Sequence, residues 1–251
     1  MDELIALVGR SWRLLLLYPG GLTALGCVLV TRLLFEQPRG LRRGALPRLD
    51  VEIVIAATWL LAITLLPLPQ SDWSYPLDLL ILLLLLEMPY WIYLPRSLNR
   101  ATQITALLNV YPLLALSIAA LGQGAGSLVA LEINRSTGLL HWAGVAGWAS
   151  TLPPLLGLGP WRNQDLRGTL LALRRVGHMG LLLAVALPAN DQTPIIAALL
   201  GFACIVVPLA ALNRWWRGNE TWWIGWQPWL VAALVLLVAW TSGQTLLLRL
   251  R

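Results

Sequence analysis

Residues 75–100 read YPLDLLILLLLLEMPYWIYLPRSLNR, and this stretch decides the fold. Its apolar run is about the length that a helix needs to cross a hydrocarbon layer of ~30 Å. Aromatic residues and an arginine follow the run, a combination typical of a membrane–water interface. One carboxylate, Glu87, lies within the apolar run. Because an ionisable group at that depth is costly, we treat Glu87 as a candidate functional residue.

The composition extends this membrane interpretation to the whole chain. Of the 251 residues, 58% are hydrophobic and only 12% are charged, with a mean hydropathy of +0.70. Soluble domains carry about twice that share of charged residues. The sequence therefore predicts an all-α fold, a polytopic membrane helix bundle that forms a single transmembrane domain over residues 1–251.

Eight apolar stretches separated by turn residues predict about eight membrane spans. The expected spans are Leu14–Phe35, Val51–Leu66, Pro76–Tyr93, Gln103–Leu121, Gly138–Leu158, Thr169–Leu187, Pro194–Leu212 and Trp229–Leu248. Span four contains Tyr111-Pro112, where we expect the helix to break. A short polar stretch with Glu132, Asn134 and Arg135 precedes span five.

The arginines test this span count independently, since the chain has no lysine. Most of them flank alternate loops, beginning with the loop after span one: Arg32, Arg39, Arg42, Arg43, Arg48, Arg96, Arg100, Arg162, Arg167, Arg174, Arg175, Arg214 and Arg217. Such an excess marks cytoplasmic loops. We therefore expect a multi-pass protein of the cell (inner) membrane with both termini on the non-cytoplasmic side. Because the arginines are scattered at span ends, they indicate topology and lipid headgroups and not a nucleic-acid partner.

No glycine-rich phosphate loop, nucleophile elbow or zinc-binding spacing is present in the sequence. Cys27 and Cys204 both lie in apolar runs and are expected to serve packing. His141 and His178 lie in adjacent spans, but their expected depths differ by ~10 Å at 1.5 Å per residue. A single haem iron could not take both as axial ligands at that separation, so we expect no bound haem and no metal.

Two basic features have a structural and a functional interpretation. Arg174 and Arg175 lie a few residues inside span six, where long side chains are expected to reach back to the cytoplasmic interface. The alternative is a basic lining for a cavity that opens to the cytoplasm. The segment from Asn213 to Pro228 is rich in Trp and Arg, which predicts an interfacial belt. The alternative is a docking surface for a soluble partner.

Two interpretations also remain open for Glu87. It could be a protonated structural residue, hydrogen-bonded to backbone carbonyls that Pro89 leaves without an N–H partner. It could equally belong to a proton path or polar interior, to which we also assign Tyr111. Either way, we expect Glu87 to face the interior of the bundle near a bend at Pro89, and not the lipid.

Several motifs together resemble one family, the membrane subunit that forms the quinone chamber of respiratory complex I and its counterpart in membrane-bound hydrogenases. The family has a Gln-x-Arg-x-Gly-Pro-like motif after its first span, and Gln37, Arg39 and Gly40 stand in a similar place. Its second span ends in a Pro-hydrophobic-Pro turn, and residues 66–69 read LPLP. Its Arg-Ala-Ala-Ala-Gln stretch is similar to residues 100–103, which read RATQ.

The fourth span adds a further similarity and one departure. The family's Tyr-Glu-x-Pro-Leu motif resembles residues 109–113, which read NVYPL. The glutamate of that motif aligns with Val110.

The family's acidic loop between spans five and six is a second departure, since it is reduced here to Pro160, Arg162 and Asp165.

The resemblance implies a membrane-anchoring subunit of a multi-subunit oxidoreductase, similar to an NADH:quinone oxidoreductase or a hydrogenase. Such a subunit would bind no cofactor itself, would dock soluble iron–sulfur subunits and other membrane subunits, and could give quinone access at the partner interface or assist proton translocation. The residues expected at the docking surface or in cytoplasmic loops are Gln37, Arg39, Arg42, Arg43, Arg96, Arg100, Arg162, Asp165, Arg214 and Arg217. Two alternatives remain, a small transporter with a mid-membrane site near Glu87 and a pure assembly scaffold.

Overall fold

The computed structural model describes residues 17–35, 51–68, 77–94, 100–161, 168–187, 195–215 and 220–249. Within these ranges the regular structure is helical, apart from an isolated antiparallel bridge between Asp78 and Val129. The all-α prediction is therefore confirmed for the described part of the chain. In chain order the helices are α1 (Gly21–Phe35), α2 (Val51–Thr64), α3 (Leu79–Tyr93), α4 (Arg100–Ala125), α5 (Ala130–Arg135), α6 (Leu139–Leu155), α7 (Thr169–Ala186), α8 (Ile195–Trp215) and α9 (Glu220–Arg249), with a 3₁₀ turn at Gly159–Trp161.

Helix α7 lies at the centre of the fold. Every residue of α7 from Leu170 to Val185 is buried, on all sides of the helix. The ionisable residues of α7, Arg174, Arg175 and His178, must therefore find partners inside the bundle. Two glycines let other helices approach it closely. A Cβ on Gly177 would lie 2.4 Å from a methyl carbon of Leu86 in α3, and one on Gly180 would lie 2.8 Å from a methyl carbon of Leu66, just after α2. The neighbours of α7 therefore pack directly against its backbone.

Helices α4 and α6 form a second closely packed pair. A Cβ on Gly147 of α6 would lie 2.4 Å from the hydroxyl oxygen of Ser117 in α4, so only glycine fits there without a shift. Helix α9 packs against both helices. The Gln123 amide of α4 donates a hydrogen bond of 2.8 Å to the Ser242 hydroxyl of α9. This contact brings the last turn of α4 beside the C-terminal half of α9.

Among the described residues, three helical segments are long and apolar enough to cross a membrane, which is fewer than the eight predicted spans. They are Gln103–Ala125, Thr169–Ala186 and Ile195–Trp215. Four apolar segments among the described residues are shorter: Gly21–Phe35, Val51–Thr64, Leu79–Tyr93 and Trp226–Ser242. Helix α1 has 15 residues and is therefore only ~22 Å long. It begins after Pro19-Gly20, whereas the predicted span one began at Leu14.

Three local predictions differ from the structure. Helix α4 continues through Pro112, where a break was expected. Helix α6 ends at Leu155 and not at Leu158, because the chain turns at Gly157, whose φ is 61°. The polar stretch before α6 forms a short helix, α5. Its Asn134 side chain is buried. It donates to the carbonyl of Ala184 in the last turn of α7 and to that of Leu187, the residue just after α7.

Side-chain contacts group the helix termini into two ends. At one, the Arg32 end, Arg32 of α1 donates to Thr169 of α7 at 3.4 Å, and the Asn213 side chain of α8 accepts from the Gly159 N–H at 3.0 Å. At the other, the Asn134 end, Asn134 bonds the last turn of α7. The start of α3 also lies there, beside Val129. Helices α1 and α8 end, and α7 begins, at the Arg32 end, as an alternating arrangement of spans requires.

Candidate functional site

Glu87 lies inside the bundle and is surrounded by hydrogen-bond donors. Only 7% of the residue is exposed, in agreement with the prediction that it faces the interior. Its Oε2 accepts from the Tyr111 hydroxyl of α4 at 2.8 Å, and its Oε1 accepts from Arg174 Nη2 of α7 at 3.2 Å. His178 Nε2 of α7 lies 2.7 Å from the same Oε1. Side chains from three helices thus meet at this carboxylate.

Helical periodicity explains how α7 contributes two of these groups. Arg174 and His178 are four residues apart, so they lie on one face of α7, one turn above the other. Their burial is nearly complete, at 2% and 0% exposed. That face is turned toward α3 and therefore toward Glu87. We call Glu87, Trp91, Tyr111, Arg174 and His178 the Glu87 cluster.

The expectation that Arg174 and Arg175 reach back to the membrane interface is wrong. Both side chains are buried, and both bind the end of α6. Arg174 Nη1 donates to the Leu155 carbonyl, and Arg175 Nε donates to the Leu156 carbonyl at 3.0 Å. The last carbonyls of a helix have no partner within it and carry partial negative charge, so buried cations stabilise them.

Aromatic rings cover the two guanidinium groups. The Arg174 guanidinium carbon lies 3.8 Å from the centroid of the Tyr90 ring, and that of Arg175 lies 4.8 Å from the Phe35 centroid. A desolvated cation over an aromatic face gains ~2 kcal/mol. These contacts, together with the α6 carbonyls, explain how two adjacent arginines remain inside the bundle.

The Tyr111 hydroxyl is held in one orientation by Trp91. Trp91 Nε1 donates to that hydroxyl at 2.8 Å, and the two rings stack with centroids 6.1 Å apart. Since the indole N–H can only donate, the Tyr111 oxygen accepts from Trp91 and is free to donate to Glu87. Trp91 is 38% exposed, so this chain of hydrogen bonds runs from the bundle surface to the buried carboxylate.

The contacts of Glu87 bear on the first of its two interpretations. Glu87 accepts from side-chain donors, whereas that interpretation had a protonated Glu87 bonded to carbonyls that Pro89 leaves free. A different residue binds the backbone of α3, since Trp59 Nε1 of α2 donates to the Leu86 carbonyl at 2.8 Å. Helix α3 continues through Pro89 to Tyr93. The bend at Pro89 stays a prediction.

Four buried nitrogen atoms close to the cluster make no hydrogen bond of normal geometry within the described part of the chain. They are Arg174 Nε, Gln103 Nε2 and both ring nitrogens of His178, of which Nε2 lies at ion-pair distance from Glu87. Gln103 belongs to this region because its Oε1 accepts from the Tyr90 hydroxyl at 3.0 Å. Buried polar groups without a partner carry a desolvation penalty, and in native proteins they often mark functional sites.

The predicted docking residues lie mostly outside the described ranges. Those outside are Gln37, Arg39, Arg42, Arg43, Arg96, Arg162, Asp165 and Arg217. Arg100 begins α4 and Arg214 lies in the last turn of α8, and both are exposed. Neither contributes to the Glu87 cluster.

The two histidines have different partners. His141 Nδ1 lies 2.9 Å from the Ser136 hydroxyl, whereas His178 contacts Glu87. Among the residues that the structure describes, no group of three or more His, Cys, Asp or Glu side chains is arranged to hold a metal ion.

Sequence reasoning found Glu87 and Tyr111 but missed Arg174, His178 and Trp91 as their partners. A usable signal was present in the sequence. Ionisable residues within apolar helices usually pair with one another. An Arg and a His at positions i and i+4 of span six were therefore candidates for the carboxylate of span three. Considering Arg174 and His178 separately concealed this pairing.

No family model, no curated protein and no solved structure matches this chain.

Proposed function

We propose that this chain is a membrane-embedded subunit of a multi-subunit oxidoreductase and that a proton is taken up and released at the Glu87 cluster. One observation carries the proton part of the proposal: a buried carboxylate contacts a buried imidazole at 2.7 Å and a buried guanidinium at 3.2 Å. Carboxylates and histidines inside membrane bundles typically form proton relays.

The oxidoreductase part rests on the motif resemblance to the complex I and hydrogenase chamber subunits. In such a complex the redox cofactors belong to the partners, and the membrane subunit supplies binding surfaces and a proton route. Quinone would bind at the partner interface. We propose eight spans in the cell (inner) membrane, with the Arg32 end facing the cytoplasm and both termini on the opposite side.

The docking part of the proposal is supported by exposed arginines at the proposed cytoplasmic loops. Arg100 begins α4, four residues after Arg96, and Arg214 lies in the last turn of α8, three residues before Arg217. Arginine and tryptophan are typical anchor residues of protein interfaces. Soluble iron–sulfur subunits are the partners that we propose for this surface.

Purification in mild detergent tests this function. We expect iron–sulfur proteins to copurify with the chain in a fixed ratio. Glu87→Gln should lower the yield of folded chain, because Arg174 loses its counter-charge, but the folded fraction should retain the partners, since the amide can still accept from Tyr111. Glu132→Gln, at an exposed position of α5, is the matched control. Recovery of the chain alone under conditions that preserve known membrane complexes would contradict the proposal.

A small transporter is the second candidate function. The buried donors on Arg174, His178 and Gln103 that lack partners favour it, since an anionic or polar solute could bind them. Solute uptake by liposomes that contain only this chain would identify a transporter. A requirement for partner subunits would exclude this alternative and favour the oxidoreductase.

A further inference from the structure

The Glu87 cluster contains two groups that could hold an exchangeable proton, the carboxyl of Glu87 and the imidazole of His178. Oε1 of Glu87 and Nε2 of His178 are 2.7 Å apart, so the charge of one group acts directly on the other. Proton uptake at the site therefore has two possible products. In one, a neutral Glu87 faces a neutral His178; in the other, an ionised Glu87 faces an imidazolium.

The donors around the carboxylate decide between the two products. Arg174 is always charged in proteins. If Glu87 were neutral, Arg174 would be a buried cation without a counter-charge, which is strongly unfavourable. If Glu87 is ionised, all three of its contacts become charge-assisted, including the Tyr111 hydrogen bond of 2.8 Å. The ionised carboxylate is the state that the geometry stabilises.

We infer that His178 carries the exchangeable proton and that Glu87 stays ionised between Arg174 and His178. The inference deepens the proposed function of the same site and rests on it. In the resting state we assign the proton of a neutral His178 to Nε2, since a lone pair on that nitrogen would repel the carboxylate oxygen 2.7 Å away. A second proton then binds the lone pair of the buried Nδ1, which has no partner among the described residues, and leaves by the same atom.

Charged and polar groups on three helices affect the protonation of His178. Glu87 belongs to α3, Arg174 to α7 itself, and Tyr111 of α4 acts through Glu87. Nearby, α2 contributes the Trp59 indole, which binds the Leu86 carbonyl, and the apolar side chain of Ile63 against Gly177. Burial of His178 disfavours its charged form and Arg174 opposes a second positive charge, so a proton on His178 depends on the Glu87 carboxylate 2.7 Å from Nε2.

The histidine count of this chain makes the test direct. Its sequence contains two histidines, so His141→Gln leaves His178 as the single one. We propose nitrogen NMR of this variant with ¹⁵N-labelled histidine, in lipid, over the pH range in which the protein stays folded. We expect the His178 nitrogens to pass from neutral ring to imidazolium in one step. Adding Glu87→Gln should abolish that step.

Infrared difference spectra of the same pH step report on the carboxyl group. We expect no band from a protonated Glu87 in the natural sequence or in Arg174→Lys, which keeps the positive charge. Arg174→Gln should produce that band, because Glu87 then lacks its fixed counter-charge. A purely structural role for Arg174 would not move a proton between the two groups. If Arg174→Gln does not fold, the comparison of the natural sequence with Arg174→Lys still tests the inference.

Either of two results would overturn the inference. The first is a Glu87 carboxyl band in the natural sequence while the His178 nitrogens stay neutral. The second is no change at either group. Failure of the inference is distinguishable from failure of the proposed function. If His178 does not titrate while Glu87→Gln still lowers proton transport by the complex, only the inference fails. If His178 titrates and proton transport is unchanged in Glu87→Gln, the proposed function fails.

Discussion

Removing one member of the Glu87–Arg174 pair should be far more harmful than removing both. Arg174→Leu leaves Glu87 buried without its cation, and a broken buried pair costs ~3–5 kcal/mol. Glu87→Leu likewise leaves the Arg174 cation buried without its counter-charge. For Arg174→Leu we expect the lower end of this range, because Glu87 can take up a proton and become neutral.

The double variant Glu87→Leu with Arg174→Leu leaves no unpaired charge in the pair. It still frees the Leu155 carbonyl that Arg174 binds, which costs about 1–3 kcal/mol. Two separate losses of ~3–5 kcal/mol would sum to about 6–10 kcal/mol. We therefore expect the double variant to be less destabilised than that sum by at least ~3 kcal/mol.

Equilibrium unfolding in mixed micelles can measure these differences. The chain has 14 tryptophans, so its fluorescence reports the loss of structure directly. Arg135→Gln, at an exposed position of α5, is the control and should change the free energy of unfolding by less than ~0.5 kcal/mol. Strict additivity of the two single variants would refute the reasoning, because it would mean that the two side chains do not interact.

Three further outcomes are expected. Tyr111→Phe should destabilise the protein by ~1.5–3 kcal/mol in the same unfolding assay, the range for a hydrogen bond to a charged group, and no measurable loss would contradict the bond. Gly177→Ala should cost ~1–3 kcal/mol because the new methyl group meets a buried leucine at 2.4 Å, whereas Gly26→Ala, with open space around it, should be neutral or stabilising. A single cysteine near Arg42 should react with impermeant reagents from the cytoplasmic side, and labelling from the outer side would contradict the proposed topology.

The sequence predicted the helical class and the burial of Glu87, because both follow from composition and from the cost of a charge among apolar residues. The partners of Glu87 were indicated only by the i, i+4 spacing of Arg174 and His178, which puts both on one face of α7. Which neighbour that face meets depends on the rotation of α7 about its axis, and α7 is buried on all sides, so no exposed face indicated the rotation. The burial of Arg174 and Arg175 was not predicted, because their carbonyl partners become available only where α6 ends, at Leu155. That is three residues before the predicted end of span five.

Short helices account for the remaining differences. The stretch around Asn134 has too few apolar residues to predict a helix. The Asn134 side chain nevertheless binds the Ala184 carbonyl of α7, 50 residues away in the chain. Helix lengths were overestimated where flanking apolar residues were counted as span. Val51–Thr64 shows this, since the predicted span continued to Leu66.

The number of protons moved per electron by the purified complex in liposomes tests the central claim most directly. It should be measured for the natural sequence, for Glu87→Gln and for the control Glu132→Gln. If a proton is exchanged at the Glu87 cluster, Glu87→Gln will lower this ratio while electron transfer and subunit composition are retained, and Glu132→Gln will leave it unchanged. An unchanged ratio in Glu87→Gln, in a fully assembled complex, would contradict the account.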